Sequence, residues 1–228
     1  MTPDAEPFDT LARLLDERWT CRQFLPDEVP RADIERLLAL AQRTPSWCNT
    51  QPWHVEVTSG GATARLRAAF AEHVMAQPQE PDFAFPPSYI GVYQQRRREC
   101  GFQLYDSIGI AKEDSDRRLE QMLRNFEFFD APHVAIVTTE ADLGTYGAID
   151  CGLWVSTFLL AAQGLGIAAA PQAALAGYPS LIREHFGLPE QRLVVAGVSF
   201  GYADLDHPVN GFRTSRAAVD EAVTWHEA

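Results

Sequence analysis

A chain of 228 residues, 46% of them hydrophobic, can bury a sizeable core, and no Ser/Gly-rich linker or charge block divides it, so one domain over 1–228 is expected. Its 31 acids against 19 bases give a net charge of −12, which argues against nucleic acid or an anionic membrane as a partner. No run of eighteen apolar residues predicts a membrane span, the acidic start lacks an apolar signal core, and Cys21, Cys48, Cys100 and Cys151 form no CxxC pair. A disulfide framework or metal centre is therefore not expected, and a reducing, cytoplasmic location is.

Phe8, Leu11, Leu14 and Leu15 follow helical spacing up to Trp19. Pro26 to Pro30 is a break, and a second amphipathic helix runs from Asp33 and stops before Pro45. Trp53 to Thr58 alternates and reads as a strand, turned by Gly60-Gly61. Residues 63–76 read as a helix, and 78–88, with four prolines, as a loop. Helices are expected over 90–108 and 114–128, then a strand over 132–138. A nearly all-apolar helix over 147–163 is expected at the centre of the molecule. A strand over 167–170, a helix over 179–186, a buried strand over 193–202 and a terminal helix after Arg216 complete the chain. Four strands among many helices predict an α+β fold with one sheet flanked by helices.

Four segments carry candidate chemistry. In an extended stretch Arg18, Thr20 and Arg22 point to one side, which suits a terminal phosphate. The alternative is surface pairing with Asp16, Glu17 or Asp27. Pro45-Ser46-Trp47-Cys48-Asn49 is a polar, aromatic turn whose donors, acceptors and ring surface could meet a flat heterocycle, or could simply end a helix. Pro171-Gln172-Ala173-Ala174 follows a run of small residues that permits close backbone approach to a ligand, or tight strand packing. Arg213 and Arg216 matter only if the tail folds back to Arg18. No GxGxxG follows the first strand, and there is no phosphate-binding GxxxxGK[ST] loop or GxSxG elbow.

Together these segments resemble, in order and separation, the FMN-dependent nitroreductase family, most closely its nitrobenzoate-reducing branch. Asn49-Thr50-Gln51-Pro52-Trp53 is similar to an Asn-(Ser/Thr)-Gln-Pro-Trp motif, and Arg96-Arg97-Arg98, Leu104-Tyr105 and Gly109-Ile110 to a middle insertion placed here at 78–112. The resemblance implies an α+β sandwich with a mixed or antiparallel central sheet, assembled as an intertwined homodimer with FMN in the interface. It implies that Arg18, Thr20, Arg22 and Arg216 hold the phosphate and ribityl chain, with Trp19 contributing through its backbone and Arg213 substituting for a late Lys of the family. Pro45, Ser46, Trp47 and Asn49 would line the ring, and Pro171, Gln172, Ala173 and Ala174 would pass flavin N5. No side-chain acid or base is implied. Hydride would move from NAD(P)H through N5 to a nitroaromatic or similar small aromatic acceptor, and the aromatic stretch 78–93 would wall the pocket. Quinone or flavin reduction, dehalogenation, and flavin binding with little turnover remain alternatives. The family's common Glu-Gly is replaced by Ala173-Ala174 and its late Lys by Thr214.

Overall fold

Three short runs rich in β-branched residues and a fourth of small residues form the centre of the molecule. The computed structural model of the chain describes residues 5–226; Met1 to Asp4 of the acidic start lie outside them. The strands are β1 (His54–Ser59), β2 (His133–Glu140), β3 (Ala168–Gln172) and β4 (Arg192–Gly201). They pair in the order β1-β2-β4-β3, every pair antiparallel. A parallel bridge from Thr20 to Ala169 lays the segment after the first helix along the outside of β3. The central strands are covered on both faces, which explains why β2 reads as a nearly continuous apolar run.

The helices are α1 (Ala5–Glu17), α2 (Arg31–Ala41), α3 (Gly61–Val74), α4 (Gly91–Ser107), α5 (Ser115–Leu123), α6 (Gly144–Gly164) and α7 (Pro179–Phe186); α2, α3, α6 and α7 cover the sheet, while α4 and α5 bury no residue. On one face Ile34 and Leu37 of α2 and Trp154 and Phe158 of α6 pack over Val137 and Phe200. On the other, Leu66 and Phe70 of α3 and Ile182 of α7 pack over Val134 and Ile136. The result is the expected sandwich. By length and composition Ala141–Gly164 could cross a bilayer; in this fold α6 is the helix that seals one sheet face.

Two backbone features place later parts of the site. Val137 faces Ala196 while Thr138 faces Val194, so β4 bulges at Val195. The Val194 N–H donates instead to Asp82 Oδ2 at 2.7 Å, and Arg183 donates to the same oxygen at 2.7 Å. With Glu80 N–H donating to Gly177 O at 2.9 Å, these bonds pin the proline-rich stretch to the sheet. Gly197 supplies the second feature. A Cβ there would meet Leu175 Cδ1 at 2.4 Å, so glycine lets the turn Ala173–Gly177 sit tightly on β4.

Two expected helices differ. The helix expected over 114–128 ends at Leu123, and Phe128, Phe129 and Asp130 all take positive φ, from 53° to 65°. A polar clamp holds this costly turn. Arg67 donates to Glu127 O and Ala131 O at 2.9 Å each, and Arg124 pairs with Glu127 and Asp130. The terminal helix is not formed. Among the described residues after Arg216 there is one short turn, Val219–Glu221, and otherwise irregular chain. Residues 213–226 are exposed throughout, and a segment this short does not hold a helix without a surface to pack on.

His133 is buried between the layers. Its Nε2 accepts the Val29 N–H at 2.9 Å, Nδ1 lies 2.8 Å from Ser59 Oγ, and the ring stacks on Phe200. The bond to Nε2 requires a neutral ring with its proton on Nδ1. Burial pushes its pKa below the usual 6.5, against an opposing pull from Glu28. The unfolded chain therefore binds this proton more readily, so stability is full above pH 6.5 and falls as pH drops from there toward the depressed value. His185, lowered by burial and by Arg65, acts in the same direction. Thermal melts between pH 5 and 8 should show this decline, reduced in His133→Gln; a wild-type midpoint that is flat across the range would contradict it.

Candidate functional site

The strand-edge bridge decides where the arginines go. Cys21 N–H donates to Ala169 O at 3.1 Å, so residues 18–22 run beside the strand that ends in Pro171 and Gln172. The tail is tied to the same segment by Asn210, which is 3% exposed. Asn210 Oδ1 accepts the Arg22 N–H at 2.8 Å, and its Nδ2 donates to Gln23 O at 2.8 Å. The tail therefore does return to Arg18. The two cationic side chains, Arg18 and Arg216, line one cavity of about 460 Å³ with Pro171 and with Gly152, Ser156 and Leu159 of α6.

Two guanidiniums and one carboxylate, that of Asp16, share the wall of this cavity, leaving it one positive charge in excess. Burial lowers the proton affinity of the Arg18 guanidinium, and Arg216 pushes it the same way. Burial also lowers that of Arg22. Arg18 is partly buried and Arg216 exposed, and like charges held near one another are stabilised by an anion between them. Arg216 spends one nitrogen on Thr214 Oγ1 at 2.9 Å and Ser215 O at 2.8 Å. Arg216 also lines a second hollow, with Arg96, Glu99 and Cys100 of α4, of about 750 Å³.

The other expected arginines stand slightly apart. Arg22 donates to Thr20 O at 3.2 Å and lies over the Phe212 ring at 5.3 Å. Arg213 lies over the Trp19 ring at 4.2 Å and donates to Asn210 O and Phe212 O, at 2.8 Å each. It braces the tail against Trp19 and does not line the Arg18 cavity.

The Pro171 segment alternates. Pro171 and Ala173 are exposed, while Gln172 is 4% exposed. Its amide donates to Asn125 O at 2.8 Å and accepts from Ser199 Oγ. The Gln172 side chain is thus a strut inside the protein, and only its backbone can face a ligand. Ala173 and Ala174 open a helical turn, where the first N–H groups have no acceptor within the turn.

The 45–49 turn is shaped by strain and by α6. Cys48, Asn49 and Gln51 have φ of 52°, 54° and 47°, uncommon for side chains larger than glycine's hydrogen. Ser46 Oγ accepts the Gln51 N–H at 2.9 Å. Asp150 Oδ2 of α6 accepts the Trp47 N–H at 3.1 Å, and the Trp47 ring leans on Tyr146 with centroids 4.6 Å apart. Thr44 Oγ1 lies 2.9 Å from Thr157 Oγ1. Pro45, Trp47 and Asn49 are left exposed.

One chain does not bring this turn to the arginine cavity. Tyr146, Asp150 and Thr157 form one stripe of α6, whereas Gly152, Ser156 and Leu159 form another. At 3.6 residues per turn the two stripes are roughly 140° apart around the helix. Between them Ile149 and Leu153 are exposed, as are Phe8, Leu11 and Leu15 on α1, which contacts α6.

Asp150, Asn210 and Asp82 escaped the sequence reading. A lone acid inside an apolar helix was the available signal for Asp150; nothing local distinguishes the other two.

Comparison with known proteins gives this arrangement its relatives. The nitroreductase family model matches residues 15–202. Nitroreductase NfnB of Mycolicibacterium smegmatis is 37% identical over 96% of this chain and 94% of its own length. A 4-nitrobenzoate reductase of Nocardioides sp. is 33% identical over 98% and 91%. The crystal structure of the FMN-dependent NfnB from Mycobacterium smegmatis in complex with NADPH superposes with a TM-score of 0.91, covering 96% of this chain and 99% of that one. An FMN- and NADPH-dependent NfnB from Sphigopyxis sp. strain HMH, 29% identical, gives 0.92 over 96% and 99%. With its antiparallel four-stranded sandwich and a match spanning residues 15–202, the chain belongs to the nitroreductase family.

Proposed function

We propose that the protein is an FMN-dependent NAD(P)H oxidoreductase acting on nitroaromatic or similarly electron-poor small aromatic acceptors. The observation that carries this reading is the like-charged pair Arg18 and Arg216 in one cavity with Pro171. The FMN phosphate is the kind of dianion that such a wall fits. Thr20 and Arg22 lie along the same edge, with Trp19 and Arg213 bracing it from behind. The chain would form a single FMN-binding domain over 1–228, with the stretch 78–112 as its insertion and part of the pocket wall.

FMN bound there would supply two-electron chemistry, accepting hydride at N5 from NAD(P)H and delivering it to the acceptor. The chain's part is to bind, orient and exclude water. Arg18 and Arg216 anchor the phosphate, and a backbone N–H of Ala173 or Ala174 meets the ring edge at N5. Pro45, Ser46, Trp47 and Asn49 cover the ring. The NADPH named in both structural relatives supports a nicotinamide donor.

The unit would be a homodimer. The ring turn and the phosphate cavity sit on separate stripes of α6, and the apolar ridge between them is exposed. A partner's α6 against that ridge would bring one chain's turn to the other's arginines. The free thiols fit a reducing, cytoplasmic setting, and no membrane or nucleic-acid role is proposed.

FMN-reconstituted protein should oxidise NADPH or NADH steadily when 4-nitrobenzoate or nitrobenzene is present, and run as a dimer in sedimentation. Retained FMN without acceptor-dependent turnover would point to a flavin-binding protein instead.

A further inference from the structure

We infer that Asp150 is a positioning residue that sets the ring-covering turn, and with it the rate of hydride transfer. The inference rests on the FMN reading above. Asp150 is 6% exposed on a helix whose neighbouring side chains are mostly apolar. Burying a carboxylate there is unfavourable unless it makes a defined contact. The contact is the backbone N–H of Trp47, 103 residues away.

What Asp150 holds is a strained object. Three of the four residues from Cys48 to Gln51 take positive φ, and such a turn relaxes unless its surroundings over-determine it. Ser46 Oγ holds the far end through the Gln51 N–H. Tyr146, one turn before Asp150 on the same stripe, holds the Trp47 ring. Asp150 is what ties the backbone of Trp47 to the helix, since the Trp47 carbonyl accepts only the Thr50 N–H from within the turn, at 3.1 Å. The arginine cavity lies on the other stripe, so anchoring of the phosphate and placement of the ring cover are separable.

That separation gives the test. In the full-length, FMN-loaded protein, Asp150→Ala should retain FMN with a dissociation constant within about fivefold of wild type. Its rate of flavin bleaching by NADPH should fall about 10–100-fold, the cost of a small misplacement. Asp150→Asn keeps an acceptor for the Trp47 N–H and should stay within about threefold. Amide exchange at Trp47 should quicken in Asp150→Ala and not in Asp150→Asn. A wild-type bleaching rate per bound flavin in Asp150→Ala would overturn the proposal, as would an Asp150→Asn rate as low as that of Asp150→Ala. If Asp150→Ala does not fold, Asp150→Ser keeps a polar group that is too short to reach the Trp47 N–H, and a wild-type rate there would overturn it equally. A wild-type protein that retains no FMN would reject the flavin reading instead. The Trp47 exchange would then still decide whether Asp150 holds the turn.

Discussion

Asp82→Leu should destabilise the fold by about 3–5 kcal/mol, the cost of leaving one member of a buried ion pair unpaired. The side chains of Asp82 and Arg183 are only 10% and 18% exposed, so water cannot take over the lost contact fully. The change also strands the Val194 N–H, which the bulge at Val195 has already removed from the β-ladder. For a chain of this size the melting temperature should drop by roughly 6–20 °C. Asp82→Asn keeps an acceptor for the N–H while losing the charge, and should fall between. A melt of Asp82→Leu within about 2 °C of wild type would show that the proline-rich stretch is not fastened through this residue.

Arg18→Ala should weaken FMN binding about 10–100-fold, since a hydrogen bond to a charged group is worth about 1.5–3 kcal/mol. Adding Arg216→Ala should cost less than the sum of the single changes if both meet one phosphate. The apoprotein should behave oppositely. Arg216 lowers the proton affinity of Arg18 across the cavity, so removing Arg18 relieves a repulsion, and flavin-free Arg18→Ala should be no less stable than flavin-free wild type. Inorganic phosphate should raise the melting temperature of wild-type apoprotein more than that of the variant. Titration of flavin fluorescence gives the affinities, and an Arg18→Ala dissociation constant within about threefold of wild type would remove the arginine pair from the phosphate site.

Periodicity located every strand and most helices because the pattern that buries a face is written locally. Trp53 to Thr58 and Leu193 to Tyr202 read as strands and are strands, each shifted by one residue. The helix expected to run on to residue 128 fails for a distant reason: Arg67 on α3 and Gln23 near the N-terminus help stabilise the left-handed turn at 128–130. The tail helix is not formed, and residues 213–226 stay exposed, without the packed face that a short helix needs. For the site, residue types marked the arginines, the polar turn and the small-residue segment. They could not show that Gln172 points inward to Ser199 and Asn125, or that Arg213 is spent on Trp19. Those outcomes depend on which side of a strand or tail meets which neighbour. Asp150 and Asp82 act on residues more than 100 positions away, and no local pattern carries such pairing.

The most direct test of the account is an anaerobic absorbance spectrum of protein loaded with FMN and desalted, taken before and after NADPH and then after 4-nitrobenzoate. The expected result is retained flavin bands that bleach with the nucleotide and return with the nitro compound. A protein that passes through desalting colourless would contradict the proposed FMN site, and bound flavin that bleaches but does not recover with any nitroaromatic would contradict the proposed acceptor class.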